Sequence, residues 1–132
     1  MVFVDTSAWF AFFLPVDRDH QRVHTWFASS NDRLVTSDYI VDETLTLLLA
    51  RRELGRAREA GRLFFEADVV RVHFISEEQV HRAWVVFQHR ASSGWSFTDC
   101  TSKIVIDDLG IPAAVALDDH FCQFGVEVLP AR

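Results

Sequence analysis

Four acidic residues sit at one kind of junction in this sequence, where a short apolar run gives way to a helical segment. The first is Asp5. Val2-Phe3-Val4 reads as a buried strand that stops at this carboxylate. Asp5 is therefore expected at the carboxyl end of a central strand, where open α/β sheets place their sites. Capping the apolar helix from Ala8 to Leu14 is its plainer role, and Thr6 and Ser7 compete for it. Glu43 lies in the first or second turn of a long helix that follows Leu34-Val35-Thr36. Asp99 lies in the first turn of a helix opened by Ser96-Phe97-Thr98. Asp118 terminates the run from Ala113 to Leu117.

Such a set of carboxylates has a definite chemistry if it converges. Two acids about 5 Å apart repel by roughly 3 kcal/mol at an effective dielectric near 20, so folding alone gives no reason to collect four. Oxygen-only ligation without His or Cys suits Mg²⁺ and Mn²⁺. Two such ions can activate a water and stabilise the leaving oxygen of a phosphodiester.

The elements that must position these acids alternate. Strands are expected at the amino terminus, at 34–36, 69–73, 113–117 and 126–128, with helical patterns between them. Alternation of this kind implies an α/β fold with a parallel sheet covered on both faces. Every strand then ends at the same rim, which is where Asp5 and Asp118 stop and where Glu43 and Asp99 begin helices.

The helix from about Tyr39 to Leu54 carries so many apolar positions that it reads as largely buried, and Gly55 reads as the break before the next helix. Glu43 must then leave the core through a gap or meet a cation. Ser76-Glu77-Glu78-Gln79 is a capping box, opening a helix with Val80, Trp84 and Phe87 on one face. Trp95, in a turn-rich loop, covers the core or stacks on a base or a partner. Lys103 stands four residues after Asp99, in the favourable order for a pair.

Other features carry less. At 132 residues, 49% of them hydrophobic, the chain reads as one domain over residues 1–132 with a core of its own. The net charge of −6 argues against a general nucleic-acid coat protein, though acids at a metal site inflate the negative count. Twelve arginines against one lysine suit phosphate binding or reflect genome composition. The arginine run from Arg51 to Arg58 is a phosphate grip or a solvated face. His20 and His24 read as a helix face rather than a zinc pair. Cys100 and Cys122 lack metal-ligand spacing and lie in apolar stretches, so two free thiols in a cytoplasmic protein are expected. The amino terminus lacks the features of a signal peptide, and no apolar run reaches about 18 residues, the length of a membrane span.

Val4-Asp5-Thr6-Ser7, Glu43, Phe97-Thr98-Asp99 and Leu117-Asp118-Asp119-His120-Phe121 together resemble the PIN-domain ribonucleases. Length and spacing are most similar to the VapC-type toxins of bacterial toxin–antitoxin pairs. The resemblance covers essentially the whole chain. It implies a PIN-like three-layer sandwich whose five-stranded parallel sheet has the order 3-2-1-4-5. It implies a Mg²⁺-dependent endoribonuclease, with Mn²⁺ substituting, that acts on RNA, forms a homodimer and is inhibited by a cognate antitoxin. Asp5, Glu43, Asp99 and Asp118 are the acidic metal site by family match, with Thr6 a supporting hydroxyl. Asp119 stands beside Asp118 and Asp42 beside Glu43. Asp118 is preferred because it precedes His-Phe by one residue.

Two rivals keep the sheet and change the function. A phosphoacceptor receiver domain requires an acid pair after strand one, an isolated Asp after strand three and a Lys after a late strand. Here those places hold the single Asp5, His73 and no lysine. A catalytically silent binding module on the same fold is separated from an enzyme by an activity assay.

Overall fold

The computed structural model describes residues 1–131. Five strands form one parallel sheet, β1 (Val2–Val4), β2 (Leu34–Ser37), β3 (Val70–His73), β4 (Ala113–Val115) and β5 (Glu127–Leu129), in the order β3-β2-β1-β4-β5. This is the order the resemblance implies. Six α-helices cover the sheet: α1 (Thr6–Phe13), α2 (His20–Ser29), α3 (Asp38–Ala50), α4 (Leu54–Phe65), α5 (Glu77–Arg90) and α6 (Phe97–Leu109). Short 3₁₀ turns occupy Ala91–Ser93 and Asp119–Gln123.

β1 is central because its residues can be buried on both faces. Val2 pairs with Leu34 and with Ala113, and all three β1 side chains are in the core. α1 follows at once and is apolar nearly all round, so it too is buried. Trp9 anchors it, stacked on Phe27 at 5.4 Å and edge-on to Phe64 at 5.1 Å. The indole N–H donates to Thr36 Oγ1 at 3.3 Å, and that hydroxyl donates to Val4 O at 3.0 Å. A large core residue thereby ties α1 to the ends of β1 and β2, close to the rim that carries the acids.

The structure revises several expectations. α3 stops at Ala50, and the break is at Arg52, held at φ 59°, whereas Gly55 lies inside α4. α3 is buried on one face only: Ile40, Val41, Thr44 and Leu48 face the core, while Leu49 is 58% exposed. In α5, Trp84 and Phe87 share a face as expected, stacked on one another, but the buried positions are Gln79 and Ala83 and Trp84 is 52% exposed. An apolar count identifies a helix without saying which stripe meets the sheet. Lys103 turns away from Asp99 and pairs with Asp107 at 2.8 Å. Cys122 is exposed, unlike Cys100.

Other readings hold. The capping box at Ser76 and Gln79 is formed. Trp95 is buried as core cover, its N–H donating to Gln123 Oε1 at 3.2 Å. His20 bonds Ala11 O and His24 stacks on Phe12, both as helix-face residues. In the arginine run the structure differs from both alternatives at two positions: Arg56 donates to Phe13 O at 3.0 Å and Arg51 lies over the Phe10 ring at 5.4 Å, so both pack on α1. Among the described residues no helix is long and apolar enough to cross a membrane.

Candidate active site

Asp5 ends β1 and caps α1, so the two roles open in the sequence coincide. Its backbone N–H extends the β1–β4 ladder to Val115 O at 3.0 Å. Its Oδ2 accepts from Ser7 N at 3.1 Å and from Ser7 Oγ at 2.6 Å. Ser7 Oγ in turn accepts from Leu117 N at 2.9 Å. One hydroxyl thus latches the end of β1 to the segment leaving β4. Asp5 is 5% exposed, and its carboxyl is pushed up from the ordinary 3.8 to about 7. Burial is the main cause; the two Ser7 hydrogen bonds oppose it, and the charges of Asp99 and Glu43 add to it.

Asp99 is the third residue of α6 and half of a second capping box. Ser96 N donates to Asp99 Oδ2 at 2.9 Å, and Asp99 N donates to Ser96 Oγ at 3.0 Å. Asp99 is 7% exposed, not a surface acid. Asp118 caps the 3₁₀ turn after β4, its Oδ1 accepting from His120 N at 2.9 Å. Between the two lies the His120 ring, with Nδ1 at 3.0 Å from Asp99 Oδ2 and 3.1 Å from Asp118 Oδ1.

Ligand atoms of Asp99, Asp118 and His120 all fall within 4.8 Å of one another. Asp5 lies outside that trio but close enough for Asp99 to raise its pKa. Glu43 acts on Asp5 in the same way from the second turn of α3, where it is exposed and lines a shallow groove with Thr46, Leu47 and Thr98. It points out of the core, on the solvent side of α3. Asp42 is also exposed on α3. Of the adjacent pair, Asp118 faces Asp99 and His120, whereas Asp119 begins the 3₁₀ turn and is exposed. Thr6 Oγ1 is buried without a hydrogen-bond partner.

These residues fit a hard divalent cation. The donors are chiefly carboxylate oxygens. Asp5 carries a burial penalty that a nearby positive charge would relieve, and an orphaned hydroxyl adjoins it in sequence. The Cys100 thiol is unsuited to the chemistry, since burial and the Asp99 charge push it up to about 11.

Sequence reasoning missed two residues. His120 was in view as part of Asp118-Asp119-His120-Phe121, but only the fold brings its ring to Asp99. Ser7 was a rival cap, and the signal for its role was its place two residues after a strand-terminal acid.

Comparison with known proteins agrees with this geometry. The PIN domain family model matches residues 2–127. The 23S rRNA-specific endonuclease VapC20 of Mycobacterium tuberculosis is 36% identical over 131 residues, 98% of this chain and 99% of that protein. The VapC ribonuclease of Archaeoglobus fulgidus is 29% identical over 124 residues, 89% of this chain and 77% of its own. Among solved structures, that of Mycobacterium tuberculosis VapC20, described as a sarcin-ricin loop cleaving toxin, superposes with a TM-score of 0.90 at 31% identity, covering 96% of each chain. FitAcB from Neisseria gonorrhoeae shares the fold at a TM-score of 0.71 and 14% identity, over 97% of this chain and 96% of its own. With its sheet order, its rim of acids and a near full-length match, the chain belongs to the PIN-domain family, in its VapC group.

Proposed function

We propose that this chain, as a single nuclease domain, is a metal-dependent endoribonuclease of the VapC type. The carrying observation is that Asp99 and Asp118, from separate elements, meet at one rim, with Asp99 and Glu43 both within electrostatic reach of Asp5. Asp99 and Asp118 would hold the cation, Asp5 and Glu43 would complete the acidic set, and Thr6 and Asp119 would support it. Mg²⁺, or Mn²⁺ in its place, supplies when bound the positive charge that activates a water and stabilises the leaving oxygen. The chain's own contribution is preorganisation. Ser7 fixes the Asp5 carboxylate, Ser96 fixes Asp99, and His120 fixes Asp99 against Asp118 before RNA arrives.

Ribosomal RNA is the first substrate to test, because the relative at 36% identity is named for 23S rRNA. The experiment incubates the purified chain with total RNA in Mg²⁺ and in chelator. Discrete cleavage in Mg²⁺ alone is expected. Intact RNA in both would favour the catalytically silent module. The receiver alternative finds no support at the end of β3, where His73 is bonded to Gln79 Oε1 at 2.8 Å.

The reading extends to partners and place. An antitoxin would lay an apolar helix face against α3 and α4, where Leu45, Leu49, Leu54 and Ala57 line a groove beside Arg58. Hydrogen exchange should then slow across Tyr39 to Ala67 when antitoxin is added; protection confined to the opposite rim would rule this out. A second copy of the chain suits the aromatic face formed by Trp84, Phe87, Phe97 and Tyr39. Sedimentation of wild type against Trp84→Glu tests for the homodimer. Action in the cytoplasm follows from an RNA substrate and a proteinaceous inhibitor.

A further inference from the structure

A recess of about 160 Å³ adjoins the acidic rim, lined by Arg22, Leu117, Asp118, Cys122, Val128 and Pro130. Asp118 belongs both to this recess and to the trio with Asp99 and His120. Whatever fills it therefore lies beside the reacting phosphate of the ribonuclease reading above, on which this inference rests. The recess is well below the roughly 300 Å³ at which pockets for drug-sized ligands begin, and suits a single planar ring system.

Its chemistry narrows the occupant. Leu117, Val128 and Pro130 offer apolar walls. Arg22 supplies the positive charge, with Nη2 steadied by Asp19 Oδ1 at 3.3 Å. Among the described residues no other group takes its remaining donors. The carboxylate of Asp118 in the wall disfavours a free anion such as phosphate, whereas a neutral heterocycle meets no such repulsion. A guanidinium fork pairs best with two neighbouring acceptors. Guanine presents N7 and O6 as such a pair, while adenine and cytosine put an amino donor on the corresponding edge. Looped or single-stranded RNA can turn a base out of its stack and offer that edge to a protein.

We propose that this recess is a guanine subsite, taking the base of a nucleotide that adjoins the scissile phosphate, with Arg22 reading N7 and O6.

The test uses the full chain and a synthetic hairpin RNA that carries a cleavage site first mapped on total RNA in Mg²⁺. Guanosines are replaced one at a time by 7-deazaguanosine, which lacks N7. At one position adjoining the cut, wild type should lose about ten-fold or more in kcat/KM, chiefly through KM. Arg22→Ala should show that loss on the unmodified hairpin and no further loss on the 7-deaza substrate. Arg22→Lys should not rescue it, because an ammonium has no fork. Cys122→Trp, which fills the recess and leaves Arg22 in place, should raise KM in the same way without lowering the melting temperature. Indifference of wild type to every 7-deaza replacement, a cut with no adjoining guanosine, or an unchanged penalty in Arg22→Ala would each overturn the subsite and leave the nuclease standing. Failure of wild type to cut any RNA would remove both.

Discussion

His120 Nδ1 lies 3.0 Å from Asp99 Oδ2, although 21 positions separate the two residues. The same nitrogen is 3.1 Å from Asp118 Oδ1. An ionised carboxylate only accepts, so Nδ1 is the protonated nitrogen of this ring. His120 therefore holds the start of α6 in register with the exit of β4. His120→Asn should weaken divalent-metal affinity and RNA cleavage by about 10- to 100-fold, the usual cost of losing a residue that orients ligands. Titration calorimetry with Mn²⁺ reads the first effect; unchanged affinity would contradict the positioning role.

Ser7→Ala removes more than a helix cap. It deletes the 2.6 Å bond to Asp5 and leaves Leu117 N–H without its acceptor. An unsatisfied donor costs about 1–3 kcal/mol when fully buried, and Leu117 is half-buried, so the loss should lie toward the lower end. The urea midpoint should fall accordingly, and cleavage should fall with it because Asp5 loses its orientation. A variant as stable as wild type would mean that water replaces the hydroxyl at the latch.

Asp5 makes the metal-free protein pH-sensitive in a definite direction. Its carboxyl is pushed up to about 7 when folded, against 3.8 ordinarily, so the folded chain binds this proton more tightly. The resulting stability is fully present below about pH 4 and is lost as pH rises through about 7, with an effect on the order of a few kcal/mol. Asp108 works in the other direction, since Arg82 holds it below the usual carboxylate range, and its contribution is lost only in stronger acid. In chelator, the melting temperature of wild type should therefore drop more steeply from about pH 5 to about pH 8 than that of Asp5→Asn. Parallel curves would show that Asp5 titrates as an ordinary acid.

Much of this was readable in the chain because local chemistry and global fold agree. Val2-Phe3-Val4 is short, apolar and β-branched, and it becomes the central strand. Alternating elements fixed a parallel sheet, and a parallel sheet brings strand ends to one rim. What stayed hidden was side-chain direction across elements. Lys103 was well spaced for Asp99, yet Asp99 is turned inward to His120 while Lys103 bonds Asp107 and Phe124 O. Glu43 reads as buried because its helix is rich in leucine, but it lies on the exposed side of α3, away from the buried stripe of Ile40, Val41, Thr44 and Leu48. Helical spacing says which residues share a face and not which face is covered.

The central claim is that the acids form one metal-holding cluster, and a melting curve in millimolar Mn²⁺ against chelator tests it most directly. A cation that binds only the folded chain stabilises it by about 2.7 kcal/mol at a hundred times its dissociation constant. For a domain of this size, that is a rise of roughly 10 °C. Asp99→Asn keeps the oxygen that caps α6 and loses the charge, so it should fold, gain far less from Mn²⁺, and cleave RNA about a thousand-fold more slowly. The expected result is a large Mn²⁺-dependent rise for wild type and a small one for Asp99→Asn. No rise in wild type, or the same rise in both proteins, would contradict the account.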